Sequence, residues 1–207
     1  MTAVLRRPVK VRRSARKAAV PTADAVMTLW NIDWDTYLKL DQQNQGTATR
    51  LTFFQGRLDI MTLSTDHERI KNTLHDLIVA HCFEEDIEFV SEGSATRRLP
   101  PSQGKEPDDS FIFGSKPKSC PDLVIEINLT SGGVDKLEFY ASLQVPEIWI
   151  YQPAGLVAYA LEGKSYKRIR KSRHLPKFHL SLASELASWP LTSKAVKEYR
   201  KRTAKKK

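Results

Sequence analysis

Apolar and polar positions change rhythm several times along this chain, and the changes mark its elements. Trp30, Trp34, Tyr37 and Leu38 recur at i, i+4, i+7 and i+8, the spacing of one helical face. After a polar stretch from Asp41 to Thr49, the runs LTFF and RLDIM flank Gln55-Gly56, where glycine can take the positive φ of a hairpin turn. Thr65-Asp66-His67-Glu68 has the form of a capping box and predicts a helix start. Ile70, Leu74, Leu77, Ile78 and His81 carry that helix along one face to about Phe83. Strand-like runs follow at Ile87 to Leu99, Ser110 to Phe113 and Leu123 to Ile127. Gly132-Gly133 releases a short helix with Val134, Leu137 and Ala141 toward the core. Pro146 cannot continue that helix and introduces the β-forming EIWIY, with further turns at Pro153-Ala154-Gly155 and Glu162-Gly163-Lys164. This order predicts an α/β (α+β) fold: a mixed central sheet flanked by helices.

A length of 207 residues allows one domain with its own core, and 41% hydrophobic content with four tryptophans excludes wholesale disorder. No apolar run approaches the ~20 residues that span a bilayer, and no apolar segment follows the basic N-terminus as a secretory signal requires. The expectation is a protein without a membrane partner. Cys82 and Cys120 match no zinc spacing and read as buried thiols in a reducing cytoplasm. The net charge of +9 suggests a nucleic-acid footprint until it is located. Residues 1–20 hold seven basic residues and no acid, and residues 194–207 hold eight against Glu198 alone. The two ends carry +7 each, which leaves residues 21–193 at −5. The expected organisation is therefore a disordered basic arm over 1–26, a domain over 27–192 and a basic tail over 193–207.

Candidate chemistry is concentrated between Glu106 and Tyr140. Leu123, Val124, Ile125 and Ile127 are apolar on both pleat faces, as in a strand covered on both sides, and Glu126 lies in their midst. A carboxylate buried there costs several kcal/mol unless a cation or hydrogen bonds compensate it. Two Pro-Asp pairs compete to supply its partner acid. Asp122 is four residues away on the same strand, about 13 Å at ~3.3 Å per residue, too far to share one Mg²⁺ with ligands at ~2.1 Å. Asp108 opens the preceding strand and can meet Glu126 across the pair. Two carboxylates on Mg²⁺ leave room for water and a phosphate oxygen, and the metal acidifies that water. Lys136, on the helix after the Glu126 strand, is the candidate to orient the water or to stabilise the transition state. Tyr140 shares its helical face and is a candidate to hold the phosphate or the lysine. Asn128 alternates onto the side of Glu126 and is a candidate for the attacking water or the scissile phosphate.

EPDDSFIF, PDLVIEINLTSGGVDKLEFY and VPEIWIY, in this order and spacing, resemble the bacterial Uma family of restriction-endonuclease-type proteins. The resemblance covers roughly residues 30–180 and reaches upstream to FFQGRLDIM followed by His67. It implies the fold of PD-(D/E)XK nucleases, with Asp108, Glu126 and the backbone carbonyl of Ile127 as ligands of Mg²⁺ or Mn²⁺. It also implies that Lys136 is a displaced catalytic lysine, because Asn128 stands at the usual Glu-x-Lys position. Gln144 replaces a glycine often found before Val-Pro-Glu, which bears on the turn and not on the chemistry. By analogy the chain would be a homodimer cutting DNA.

Each residue also has a plainer reading. Asp108 could be a strand-entry turn, Lys136 a solvated lysine, Tyr140 a helix aromatic and Glu68 the acid of the capping box. His67, near the same helix start, could approach the metal or the phosphate. His75 and His81 read as surface and core residues of one helix. The leading function is a Mg²⁺-dependent endonuclease. The alternatives are a catalytically inactive, nuclease-fold module that binds nucleic acid through its basic ends, and a scaffold for a protein partner.

Overall fold

In the computed structural model the described residues are 23–45, 47, 49–116, 118–130 and 136–204. The hairpin expected at Gln55-Gly56 forms and seeds the first of two sheets. β2 (Thr49–Phe54) and β3 (Arg57–Thr62) pair antiparallel with Phe54 opposite Arg57. Gln55 and Gly56 take φ of 47° and 86°, both positive, as the two-residue turn that matches strand twist requires. β1 (Ala25–Leu29) pairs with β3, β6 (Gln103–Lys105) with β2, and β5 (Arg97–Leu99) with β6, giving the order β1-β3-β2-β6-β5. α1 (Trp34–Asn44) is capped by Asp33, whose carboxylate accepts from Thr36 N at 2.7 Å. Its Tyr37 stacks on Phe53 with centroids 5.0 Å apart. Gly104 admits no side chain, since a Cβ there would stand 2.2 Å from the Tyr37 hydroxyl.

The second sheet is the mixed one. It comprises β4 (Phe89–Ser91), β7 (Asp109–Phe113), β8 (Leu123–Ile127), β9 (Glu147–Gln152), β10 (Gly155–Glu162) and β11 (Ser165–Ile169). Its order is β11-β10-β9-β8-β7-β4, and only β8 and β9 run parallel. The parallel pair needs a crossover, and α3 (Lys136–Ser142) lies within it. The strand period of two then sorts β8 cleanly. Leu123, Ile125 and Ile127 join the core with α2 (Thr65–Glu84), α4 (Leu180–Ala187) and α5 (Thr192–Thr203), while Val124 packs with Phe139, Tyr140 and Ile148. Glu126 falls on the Val124 side, under α3. Gln144 ends this crossover at φ 57°, the left-handed conformation a glycine adopts more easily, and Val145 N donates back to Tyr140 O at 3.1 Å.

Several expectations are corrected. Trp30 lies outside α1, 66% exposed, with the Arg57 guanidinium 5.3 Å from its ring centroid. The cap of α2 is Ser64, one residue before the expected box, and its hydroxyl accepts from His67 N at 3.2 Å. The expected arm over 1–26 includes the start of β1, and residues 1–22 lie outside the described residues. Most of the expected tail over 193–207 is helix α5, with Ala195 and Tyr199 buried and Tyr199 Oη accepting from His179 N at 3.0 Å. Burying a tyrosine of ~150–250 Å² is worth roughly 4 kcal/mol or more, which outweighs the repulsion among that segment's exposed lysines and arginines. Gly132, Gly133 and Val134 lie outside the described residues. Among the described residues, no helix is long and apolar enough to cross a membrane.

Candidate active site

Strand register brings the two acids together. Asp109 stands opposite Ile125 and Ser110 opposite Val124, so one further step sets Asp108 opposite Glu126. Asp108 Oδ2 accepts from Ile127 N at 2.7 Å, turning its carboxylate along β8. Asp122, the rejected alternative, is occupied elsewhere: it accepts from Phe113 N at 2.8 Å and from Lys118 at 2.7 Å.

Glu126 is 1% exposed, and its charge is compensated from three directions. Lys136 Nζ, from the first residue of α3, lies 2.6 Å from Oε2, and Lys105 Nζ, from β6 of the other sheet, lies 3.2 Å from the same oxygen. Tyr140 donates its hydroxyl to Oε1, and burial together with Glu126 pushes the Tyr140 pKa well up, so it stays a donor. The two lysines differ. Burial lowers both, but for Lys136 the charges of Glu126 and Asp108 outweigh burial and its pKa ends raised. Lys105 is more deeply buried, and its pKa ends lowered because Glu126 offsets burial only in part while Lys136 opposes it.

His67 does not point at the cleft. Its Nδ1 lies 2.9 Å from Asp24 Oδ2, and its Nε2 lies 3.0 Å from Asp108 Oδ1, a charge contact without an aligned hydrogen bond. Asp24 Oδ1 in turn accepts from Ser64 N, the cap of α2, at 2.7 Å. Burial disfavours the charged imidazole, yet Asp108 and Asp24 outweigh it and the His67 pKa is raised. The Asp108 carboxyl is likewise held below the usual range: burial pushes it up, and His67, Lys136 and Lys105 together pull it down further. His67 thus orients an acid, as the outer partners of metal and catalytic carboxylates do.

The cleft beside this cluster is walled by Asp24, Asp59, Lys105, Ile127, Asn128 and Lys136, with a volume of about 30 Å³, room for about two water-sized groups. Asp108 and Glu126 do not line it; Glu126 contacts two of its lining residues, Lys105 and Lys136. Among the described residues, no three His, Cys, Asp or Glu side chains form a ready metal cage. The donors present are nevertheless two carboxylates and the backbone of Ile127, hard oxygens of the kind Mg²⁺ takes while keeping several waters. This set fits Mg²⁺ or Mn²⁺ on those terms.

Register and helix pattern therefore bring Asp108, Glu126, Lys136, Tyr140 and His67 into one cluster, with Asn128 on its rim. Two members escaped the sequence pattern. Lys105 sits in a three-residue strand with no apolar rhythm. Asp24 fell within the expected arm, although it is the first acidic residue of the chain, a signal that was there to be used.

A crystal structure of a "putative nuclease belonging to DUF820" from Anabaena variabilis superposes with a TM-score of 0.47 at 14% identity, covering 81% of this chain and 99% of that one. No curated protein matches the chain. The profile of the Uma2 family, described as "Putative restriction endonuclease", matches residues 34–190, well over half of the sequence. With Asp108, Glu126, Lys136 and Tyr140 all inside that span, the chain belongs to the Uma2 family.

Proposed function

We propose that this protein is a divalent-metal-dependent endonuclease that hydrolyses phosphodiester bonds of DNA. The reading is carried by one observation: Glu126, 1% exposed and in register with Asp108, has an ammonium 2.6 Å away at the wall of a small cleft. Asp108, Glu126 and the Ile127 carbonyl would hold Mg²⁺ or Mn²⁺. When bound, such an ion acidifies water and neutralises charge building on the phosphate. The chain's own groups do the rest. Lys136 leaves Glu126 to meet the developing phosphorane charge, where a positioned cation is worth more than in water. Tyr140 keeps Glu126 fixed while the lysine moves, His67 keeps Asp108 fixed, and Asn128 orients water or phosphate at the rim. The free thiols of Cys82 and Cys120 suit work in a reducing bacterial cytoplasm, and the homodimer is proposed by analogy with nucleases of this kind alone.

The test is cleavage of supercoiled plasmid with Mg²⁺ or Mn²⁺, by the wild type and by Asp108→Asn. Metal-dependent nicking that disappears in the variant is expected; no nicking by the wild type, or nicking that persists in the variant, overturns the proposal. One observation favours an inactive module instead: both Glu126 oxygens are already engaged by side chains of the chain itself. That module would bind DNA and leave it intact under every metal.

A further inference from the structure

Seven basic residues and no acid fall between Lys164 and Lys177, which leaves the rest of residues 21–193 at −12. This is not an end of the chain. It is β11, the outer strand of the mixed sheet, and the turn that leads to α4. Three of these cations have partners: Lys167 and Arg173 each reach Glu162 at 2.8 Å, and Lys177 pairs with Glu85. Arg168, Arg170 and Lys171 are exposed and make no ion pair or hydrogen bond among the described residues. They rim two adjoining grooves of about 530 and 500 Å³, with Arg170 common to both and α4 as the shared wall. The acids of the second groove, Glu84 and Glu85, are engaged by Arg200 and Lys177.

Both grooves open on the face of the mixed sheet that packs α4, the first beside Ala158 and Ile169, whereas Glu126 lies on the other face, under α3. A polyanion meets net negative charge over the rest of residues 21–193 and attraction here, next to the basic helix α5, whose Thr203 lines the second groove.

We propose that Arg168, Arg170 and Lys171 form a backbone-phosphate docking site for duplex DNA. This docking does not rest on the nuclease reading. Charge on an outer strand also discourages strand-to-strand association, whatever its sign. Replacing the three residues by glutamate keeps that protection and reverses the docking, so the two roles separate.

The experiment is fluorescence anisotropy of a labelled duplex and of an equally long single strand, using the full chain with Ca²⁺ in place of Mg²⁺, over a series of salt concentrations. For R168E/R170E/K171E, with an unchanged Tm, duplex affinity should fall at least tenfold at 0.1 M salt. The slope of log affinity against log salt should become shallower by up to about 2.7, near 0.9 for each phosphate no longer neutralised. The corresponding glutamine triple should show the same change of slope with a smaller drop in affinity. Wild-type affinity and slope in the glutamate triple would leave only edge protection and end the proposal. A weakening confined to the single strand would overturn the assignment to duplex. A wild type that binds duplex through this patch but never cleaves it removes the nuclease reading and keeps the docking site. Cleavage with unchanged KM in the triple does the reverse.

Discussion

The two ends of β8 carry a buried acid each, and they have opposite fates. Asp122, just before the strand, is satisfied locally by the Phe113 amide and by Lys118, four residues away. Glu126, near its far end, draws Lys105, Lys136 and Tyr140 from β6 and α3, elements of both sheets and of the crossover. Local backbone partners settle a carboxylate for good. Cationic side chains that converge from distant elements beside a cleft compensate it at the greater cost of burying several charges together. Burial alone does not separate a functional acid from a structural one; the origin of its partners does.

The comparison breaks first if the Glu126 end does not control chemistry. Glu126→Gln and Asp108→Asn are each expected to lower the plasmid nicking rate by more than about 10³-fold, as removal of an electrostatic centre does. Lys136→Met should cost on the order of 10²- to 10³-fold in the same assay, and the Tm should fall, since removing one partner of a buried ion pair leaves the other undercompensated. Moving one layer out, His67→Gln or Asp24→Asn should weaken Mn²⁺ binding by roughly 10- to 100-fold, measured by electron paramagnetic resonance without any substrate. At the other end, Asp122→Ala should cost about 1–3 kcal/mol in denaturant unfolding by stranding the Phe113 amide, with nicking per folded molecule unchanged.

The smallest expected effect concerns pH and two histidines of α2. Burial lowers the His81 pKa, so its contribution to stability is present above the ordinary histidine value and is lost as pH falls through the depressed folded value. The hydrogen bond to Asp109 raises the His75 pKa, so its contribution is present below the ordinary value and is lost as pH rises through the raised one. Thermal melts of His81→Asn and His75→Asn between pH 5 and 8 should therefore diverge from the wild type at opposite ends of that range.

What the sequence disclosed follows the same division. The apolar run around Glu126, the geometric rejection of Asp122 and the i, i+4 pairing of Lys136 with Tyr140 are local patterns, and each is readable because spacing alone fixes it. Lys105 is illegible because its strand is three residues long and is held by Tyr37 packing on Gly104, a contact across 67 positions. In the first sheet the β2–β3 hairpin was legible, whereas the pairing of β1 onto β3 and of β6 onto β2 is long-range and was not. Helix α5 was obscured differently: its basic residues drew attention from Ala195 and Tyr199, whose i, i+4 spacing marks the buried stripe. His67 falls in the expected neighbourhood, and the contacts of its ring with Asp24 and Asp108 were not legible, because a sequence does not say which way an imidazole faces.

The contact between Asp24 and His67 has a bearing on where this protein can be cut. The family profile begins at residue 34, ten positions after the aspartate that holds the imidazole and, through it, Asp108. It also stops at residue 190, before the helix that seats Tyr199. Trimming the chain to the matched span would thus discard the Asp24–His67 contact at one end and a wall of the core at the other.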